Sequence, residues 1–248
     1  MTHPDAARRT PLNRDRVLRT AVELADQSGL ESLSMRRLAE ELGVVPMALY
    51  KHVAGKEELL DGMVATLIGE IGPAVHDTDW KSAVRLRVLS ARRALQRHPW
   101  ARQAIESRTN KTPAVLEYMD SFIGMFLAGG FSPDLTHHVM HAVGGRMWGF
   151  TQELFDDPAG PQAPDDVPQE ALIAMFQQMA ARYPNVVAMA TAVPHDVDSV
   201  VGRGCDDQFE FEFALDLLLD GFERLREQGW TSRQAKLRGQ AVQDRPPG

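Results

Sequence analysis

Two sets of side chains in this sequence have types and spacings that can do chemistry. In the first, Arg36, Tyr50, His52 and Lys56 lie within 21 residues of one another. All four donate hydrogen bonds, and no acid is spaced to work with them as an acid–base pair. Tyr50 and His52 suit phosphate oxygens, and Arg36 suits a guanine edge or a phosphate. Lys56 falls where a helix should begin. A cation there opposes the helix dipole, and a phosphate bound at that helix start removes the conflict. In the second set, His137 and His141 flank His138 at a spacing of four. On a helix they share a face and can ligate zinc. Spacing offers no third ligand, since Glu153 is three turns away. A metal-dependent helical enzyme, or a metal sensor, built on His137 and His141 is therefore the competing reading. No P-loop, dinucleotide-type glycine run or nucleophile elbow occurs. We expect no catalytic residues, no resident metal and no cofactor.

The elements that must hold the first set are legible. Apolar residues at Val17, Leu18, Ala21, Val22, Leu24 and Ala25 follow helical spacing, and Gly29 supplies a stop. Ser34 can cap a helix over 35–42 whose inner face is Leu38, Ala39 and Leu42, with Gly43 as its left-handed end. Pro46 fits the first turn of a short third helix, although Val45 is a poor cap. This is the grammar of a helix-turn-helix. The short turn makes the helices cross steeply and projects the second outward, at a size the major groove accepts. A helix that short is unstable alone, so Leu38, Leu42 and Leu49 must brace it. A fourth helix carries Leu59, Leu60, Met63, Val64 and Leu67 and ends at Gly72-Pro73. Beyond it, helical spacing covers 80–97, 113–129, 133–155, 168–182 and 206–228, with no sustained strand alternation. Irregular segments are expected at Asp156–Pro168 and from Pro194 to Gly204. The sequence from Thr231 is basic and Gln-rich, ends Pro-Pro-Gly, and is expected to be disordered.

Charge divides along the same line. The 248 residues carry a net charge of −7, but residues 1–60 hold nine basic and nine acidic side chains, so the excess acid lies entirely in 61–248. Arg8, Arg9, Arg14, Arg16 and Arg19 cluster with the single acid Asp15. A basic edge joined to an acidic body suggests a DNA-contacting head and a body with another task. Cys205 is the only cysteine, which excludes an intrachain disulfide and a four-thiolate zinc site. The most apolar run, Phe122 to Phe131, falls well short of the roughly 20 residues a membrane helix needs. No secretory signal is visible, so a cytoplasmic location without membrane contact is expected.

The ordered set Gly29-Leu30-Glu31-Ser32-Leu33-Ser34-Met35-Arg36-Arg37-Leu38-Ala39, Leu42-Gly43-Val44, Ala48-Leu49-Tyr50-Lys51-His52-Val53 and Gly55-Lys56-Glu57-Glu58-Leu59-Leu60-Asp61 resembles the TetR family of bacterial transcriptional regulators. The resemblance implies phosphate contacts at Ser34, Tyr50, His52 and Lys56 and base-reading positions at Arg36, Pro46 and Met47. Pro46 and Met47 depart from the polar pair of the tetracycline repressor. They offer apolar contacts, such as to thymine methyls, so the operator cannot be borrowed from a relative. Further on, Gly129-Gly130-Phe131-Ser132, a long helix, an acidic Pro/Gly loop and a final long helix resemble a tetracycline-repressor-like C-terminal domain. That likeness implies a homodimer joined by a four-helix bundle from about 133–155 and 206–228.

The last helix fits such a role. Phe209, Phe213, Leu217 and Phe222, with Leu215, Leu218, Leu219 and Leu225, give it more apolar surface than one subunit normally hides. Met119, Phe122, Met140 and Trp148 form an adaptable apolar wall on the two central helices, with His137 and His141 as polar points; Met175, Phe176 and Met179 follow on a later helix. By the resemblance, Met119, Phe122, His137, Met140 and His141 fall where the family lines its ligand pocket. The magnesium- and drug-binding residues of the tetracycline repressor do not recur as a set, which favours a largely apolar ligand. Arg85, Arg87, Arg92, Arg93, Arg97 and Arg102 read as a basic helix surface.

The expectation is an all-α protein. It has a basic leader (1–12), a three-helix helix-turn-helix DNA-binding domain (13–55), a helical ligand-binding and dimerisation domain (56–230) and a disordered tail (231–248). It would repress by binding a palindromic double-stranded operator as a homodimer and leave it on binding a small molecule; activation is the alternative sign of control.

Overall fold

Asn13 opens the first helix of the computed structural model, which describes residues 11–74, 78–108, 111–148, 169–192 and 206–243. Its side chain accepts the Arg16 N–H at 2.8 Å, starting α1 (Arg14–Ser28). One face of α1 is fully apolar and buried, from Val17 to Ala25, and Gly29 at φ 76° ends it. A single 3-10 turn (Leu30–Ser32) leads to Ser34, whose Oγ accepts the Arg37 N–H at 3.2 Å and starts α2 (Met35–Leu42). Gly43 stops α2 in the left-handed region at φ 67°, where a Cβ would be strained. α3 (Pro46–Leu49) has Pro46 at its first position and no side-chain cap; its hold is the fully buried Leu49.

α4 (Lys56–Glu70) packs across α1 so closely that a Cβ on Gly62 would stand 2.5 Å from Leu18 Cδ2. Leu59, Leu60, Met63, Val64 and Leu67 of α4 join the buried face of α1, Leu38, Leu42 and Leu49 in one hydrophobic cluster. Trp100, Ala101 and Ala104 belong to the same cluster, so the core runs past residue 55 without a break.

α5 (Trp80–Arg97) is capped by Asp79. The short α6 (Ala101–Glu106) was not anticipated by the sequence pattern. α7 (Pro113–Ala128) is capped by Thr112, and α8 (Pro133–Trp148) begins where Ser132 Oγ accepts the Leu135 N–H at 3.1 Å. Trp80, Phe122, Phe126 and Phe131 form an aromatic nucleus, with Phe126 fully buried and edge-on to Phe122 and Phe131 at 5.5 and 5.4 Å. Arg87 corrects the basic-surface expectation. It is buried, donates to the Gly72 carbonyl and lies 4.8 Å over the Tyr118 ring. Burial pushes the Tyr118 hydroxyl above its ordinary range, while Arg87 pulls the other way.

The chain divides into two compact units, residues 1–148 with 221–248, and residues 149–220. The second unit contains α9 (Gln169–Arg182), α10 (Pro184–Ala192) and the first part of α11 (Asp207–Glu227). Ile173, Met175, Phe176 and Met179 of α9 are exposed. α11 continues into the first unit, where Arg226 donates to the Gly129 carbonyl at 2.9 Å and lies 5.5 Å over Trp80. Phe222 corrects its grouping with Phe209, Phe213 and Leu217: it is buried, whereas those three are exposed.

The disordered tail expected for 231–248 is corrected only over 232–243, residues 244–248 lying outside the described residues. Residues Ser232–Gln243 form α12, whose Ser232 N–H donates to Asp134 Oδ2 at 2.7 Å. The hydrogen bonds from the Ser232 backbone and side chain hold the Asp134 carboxyl below the usual carboxylate range. A lowered carboxylate contributes stability above its unfolded value and loses it as pH falls through the folded one. Asp134→Ala should therefore loosen α12 at neutral pH, read as lost hydrogen-exchange protection of its amides. Unchanged protection would assign the docking to the apolar contacts around Leu135, Val139 and Trp230 instead. Residues 1–10, 149–168, 193–205 and 244–248 lie outside the described residues, and with them Arg8, Arg9, Glu153, Cys205, both expected irregular segments and the far end of the 133–155 helix.

Candidate DNA-binding head and effector cavity

The residues singled out between positions 34 and 56 come to the surface of the head. Ser34, Arg36, Pro46, Met47, Tyr50 and Lys56 are exposed and His52 is half-buried. Met47 at 72% exposure stands on a four-residue helix whose only buried side chain is Leu49, so α3 presents nearly all its surface outward. Arg36 is paired with Glu40 at 3.0 Å, but both side chains are largely in water. Such a pair is worth about 0.3–0.5 kcal/mol and yields easily to a stronger acceptor.

The start of α4 is more tightly held. Gly55 makes no side-chain cap there, so Glu58 reaches back and accepts the Ala54 N–H at 2.7 Å, with Arg14 of α1 3.4 Å away. Those partners, the Ala54 bond first, hold the Glu58 carboxyl below the usual range. Arg108 approaches from beyond α6. It donates to the Glu57 carbonyl and Asp61 Oδ1 at 3.0 Å each, and pairs with the Glu57 carboxylate. Burial opposes its charge, but the two carboxylates outweigh that and raise its pKa above the ordinary guanidinium value.

A second junction was not visible in the sequence. His98 is buried and its Nδ1 lies 2.8 Å from Asp26 Oδ1 of α1, while Nε2 lies 3.2 Å from the Glu70 carboxylate at the end of α4. Trp100 Nε1–H donates to the same Asp26 oxygen at 2.6 Å. The head is thus tied at both ends of α4 to the helices behind it.

Behind the head, α4, α5, α7 and α8 enclose a cavity of about 300 Å³. Phe122, Met119, Met140 and Trp148 line it, together with Leu67 and Ile68 of α4 and Ile71 just past its end. His137 and His141 do not. They line a second, more open cavity of about 510 Å³, which also has Met119 and Met140 in its wall. The six expected ligand residues therefore fall into two adjoining spaces separated by two methionines. His137 and His141 stand ring to ring at 4.7 Å, yet among the described residues no group of three or more His, Cys, Asp or Glu is placed to hold a metal ion. No described helix is long and apolar enough to cross a membrane.

Comparison with known proteins agrees with this division. Residues 17–63 match the family described as bacterial regulatory proteins, tetR family, and residues 72–226 match the tetracyclin repressor-like, C-terminal domain. The chain is 30% identical to the HTH-type transcriptional repressor DrrR1 of Streptomyces coeruleorubidus, over 90% of this chain and 81% of that protein. It is 28% identical to the tetracycline repressor protein class C of Escherichia coli, over 87% of this chain and 92% of that one. A crystal structure of the Streptomyces coelicolor TetR family protein ActR in complex with (S)-DNPA superposes with a TM-score of 0.59 at 25% identity, covering 86% of this chain and 98% of ActR. With an all-helical fold, a helix-turn-helix head and both family segments matched, the chain belongs to the TetR family of bacterial transcriptional regulators.

Proposed function

We propose that this protein is a transcriptional repressor that binds a palindromic operator as a homodimer and leaves it when a small, largely apolar molecule enters the cavity behind the head. The observation that carries the reading is the double use of α4. Its first residue, Lys56, stands at the surface of the head, and its last turns, with Leu67 and Ile68 and the following Ile71, form a wall of the cavity. Fifteen residues span roughly 22 Å, so one rigid element links the two sites. A ligand that displaces the wall moves Lys56, and with Arg108 and His98 fastening both ends the displacement reaches the head. A coupling of about 1–3 kcal/mol would change DNA affinity roughly 5–150-fold.

On this reading, Ser34, Tyr50, His52 and Lys56 hold phosphates, while Arg36, Pro46 and Met47 face base edges. The uncapped start of α4 suits a phosphate oxygen, which the free N–H groups and the Lys56 ammonium would share. Relatives bearing repressor names and the ligand-bound ActR structure support the direction of control and the ligand response. The exposed ridge of α11 supports the homodimer. The basic leader 1–12, head 13–55 and body 56–230 serve as functional divisions rather than separate cores.

Protection of a palindrome in the DNA beside the protein's own coding region tests the proposal; indifference to every duplex offered would overturn it. Within that assay, Lys56→Ala and Tyr50→Phe should weaken binding to all sequences and flatten its salt dependence, whereas Met47→Ala should change the selected motif. An unaltered motif would remove Met47 from base reading.

A further inference from the structure

We infer that the effector is an amphiphilic anion: an apolar body that fills the inner cavity and carries an acidic group that projects into the outer one. The inference rests on the effector-cavity reading above and adds the ligand's chemical class.

The inner cavity is walled almost wholly by aliphatic and aromatic side chains, which selects an apolar body. The outer cavity adjoins it across Met119 and Met140, whose flexible thioethers can part to let one molecule occupy both. Its polar groups are of one kind. Lys111, Thr136, His137 and His141 all can donate, and no carboxylate lines either space.

One of these donors lacks a partner within the protein. Thr136 is 3% exposed and its Oγ1 has no hydrogen-bond partner, although the hydroxyl of a helical threonine usually turns back to a carbonyl of its own helix. The exposed Lys111 ammonium approaches the Met119 thioether at 3.5 Å and keeps its charge in water at the mouth of the outer cavity. Asp134, in the first turn of α8, is engaged with the Ser232 N–H of α12, lies 3.9 Å from His138 and also feels the charge of His137. A carboxylate or sulfonate in the outer cavity would meet the Lys111 charge and the His141 ring with no opposing acid in the wall, beside the unpartnered Thr136 hydroxyl.

The test uses 1-anilinonaphthalene-8-sulfonate and its uncharged counterpart N-phenyl-1-naphthylamine, titrated into the full-length protein. The sulfonate should bind at least about tenfold more tightly, because a charge-assisted hydrogen bond is worth that much. Lys111→Met and Thr136→Val should erase the difference and leave the neutral probe's affinity unchanged. Gly144→Leu should weaken both probes, since it fills the inner cavity from an open position with no atom within 4 Å of the new Cβ. Equal affinities in the parent protein, or a preference that survives Lys111→Met, would overturn the anionic subsite while leaving the inner cavity as the ligand site. Failure of either probe to bind, or binding indifferent to Gly144→Leu in a variant with an unchanged melting temperature, would overturn the cavity reading and the inference with it.

Discussion

Glutamate at both Phe213 and Leu217 should give a monomer by light scattering and lower affinity for a palindromic site by about a thousandfold or more, the interval that commonly separates specific from non-specific DNA binding. α11 turns two apolar faces outward from its axis. Phe211, Leu215, Leu219 and Phe222 are buried, whereas Phe209, Phe213 and Leu217 are 62%, 54% and 56% exposed. The exposed three recur every fourth residue and so form one ridge, along which the Phe209 and Phe213 rings lie nearly parallel with centroids 6.4 Å apart. A ridge of two phenylalanines and a leucine in water is costly, and on the proposed homodimer reading a two-fold contact with its own copy would cover it. Two glutamates there would meet two more across the axis, so repulsion adds to the lost apolar contact. The fold is spared, because neither position is in the core. A well-folded dimer with full operator affinity would move the interface to another face.

Phe126→Ala should cost about 3–5 kcal/mol of stability, the usual toll for emptying a buried aromatic site. For a chain of this size that corresponds to a drop of roughly 6–20 °C in Tm. Phe126 is fully buried and central to four rings: 6.2 Å from Trp80, 5.5 Å from Phe122 and 5.4 Å from Phe131. The group closes the turn between α7 and α8, and Arg226 covers it from above through Trp80 and Phe131. With Trp80 already against Gly129, where even a Cβ would lie at 2.6 Å, the rings have little freedom to collapse into the vacancy. A loss below about 1 kcal/mol would show that the site relaxes and that the aromatic nucleus is not what holds the turn.

The head was legible because its instructions are local. Ser34 and Gly43 bracket α2 by capping chemistry that acts within three residues, and Pro46 and Leu49 suffice to define α3. The long body helices were legible for the same reason. What escaped depends on partners remote in sequence. α12 has few apolar positions, and the acceptor for its first N–H is Asp134, 98 residues away. His98 finds Asp26 and Glu70 across 72 and 28 residues, so nothing near it announces a buried junction. Arg87 sits in a run of arginines that reads as solvated, and only the approach of Gly72 and Tyr118 explains its burial. The residues that line the two cavities were singled out one by one. Their division between two spaces was hidden, because it depends on where Met119 and Met140 meet.

The contact between Gly62 and Leu18 limits how any signal can travel. Gly62 lets Leu18 pack directly against the α4 backbone, and the buried faces of α1 and α4 share one hydrophobic cluster, so the two helices move together. Displacement of the cavity wall would then carry α4 and α1 together, with the surface of the head riding along undistorted. A regulator built this way would lose its target by mis-spacing intact readers rather than by melting them, and each half-site contact would survive induction unchanged.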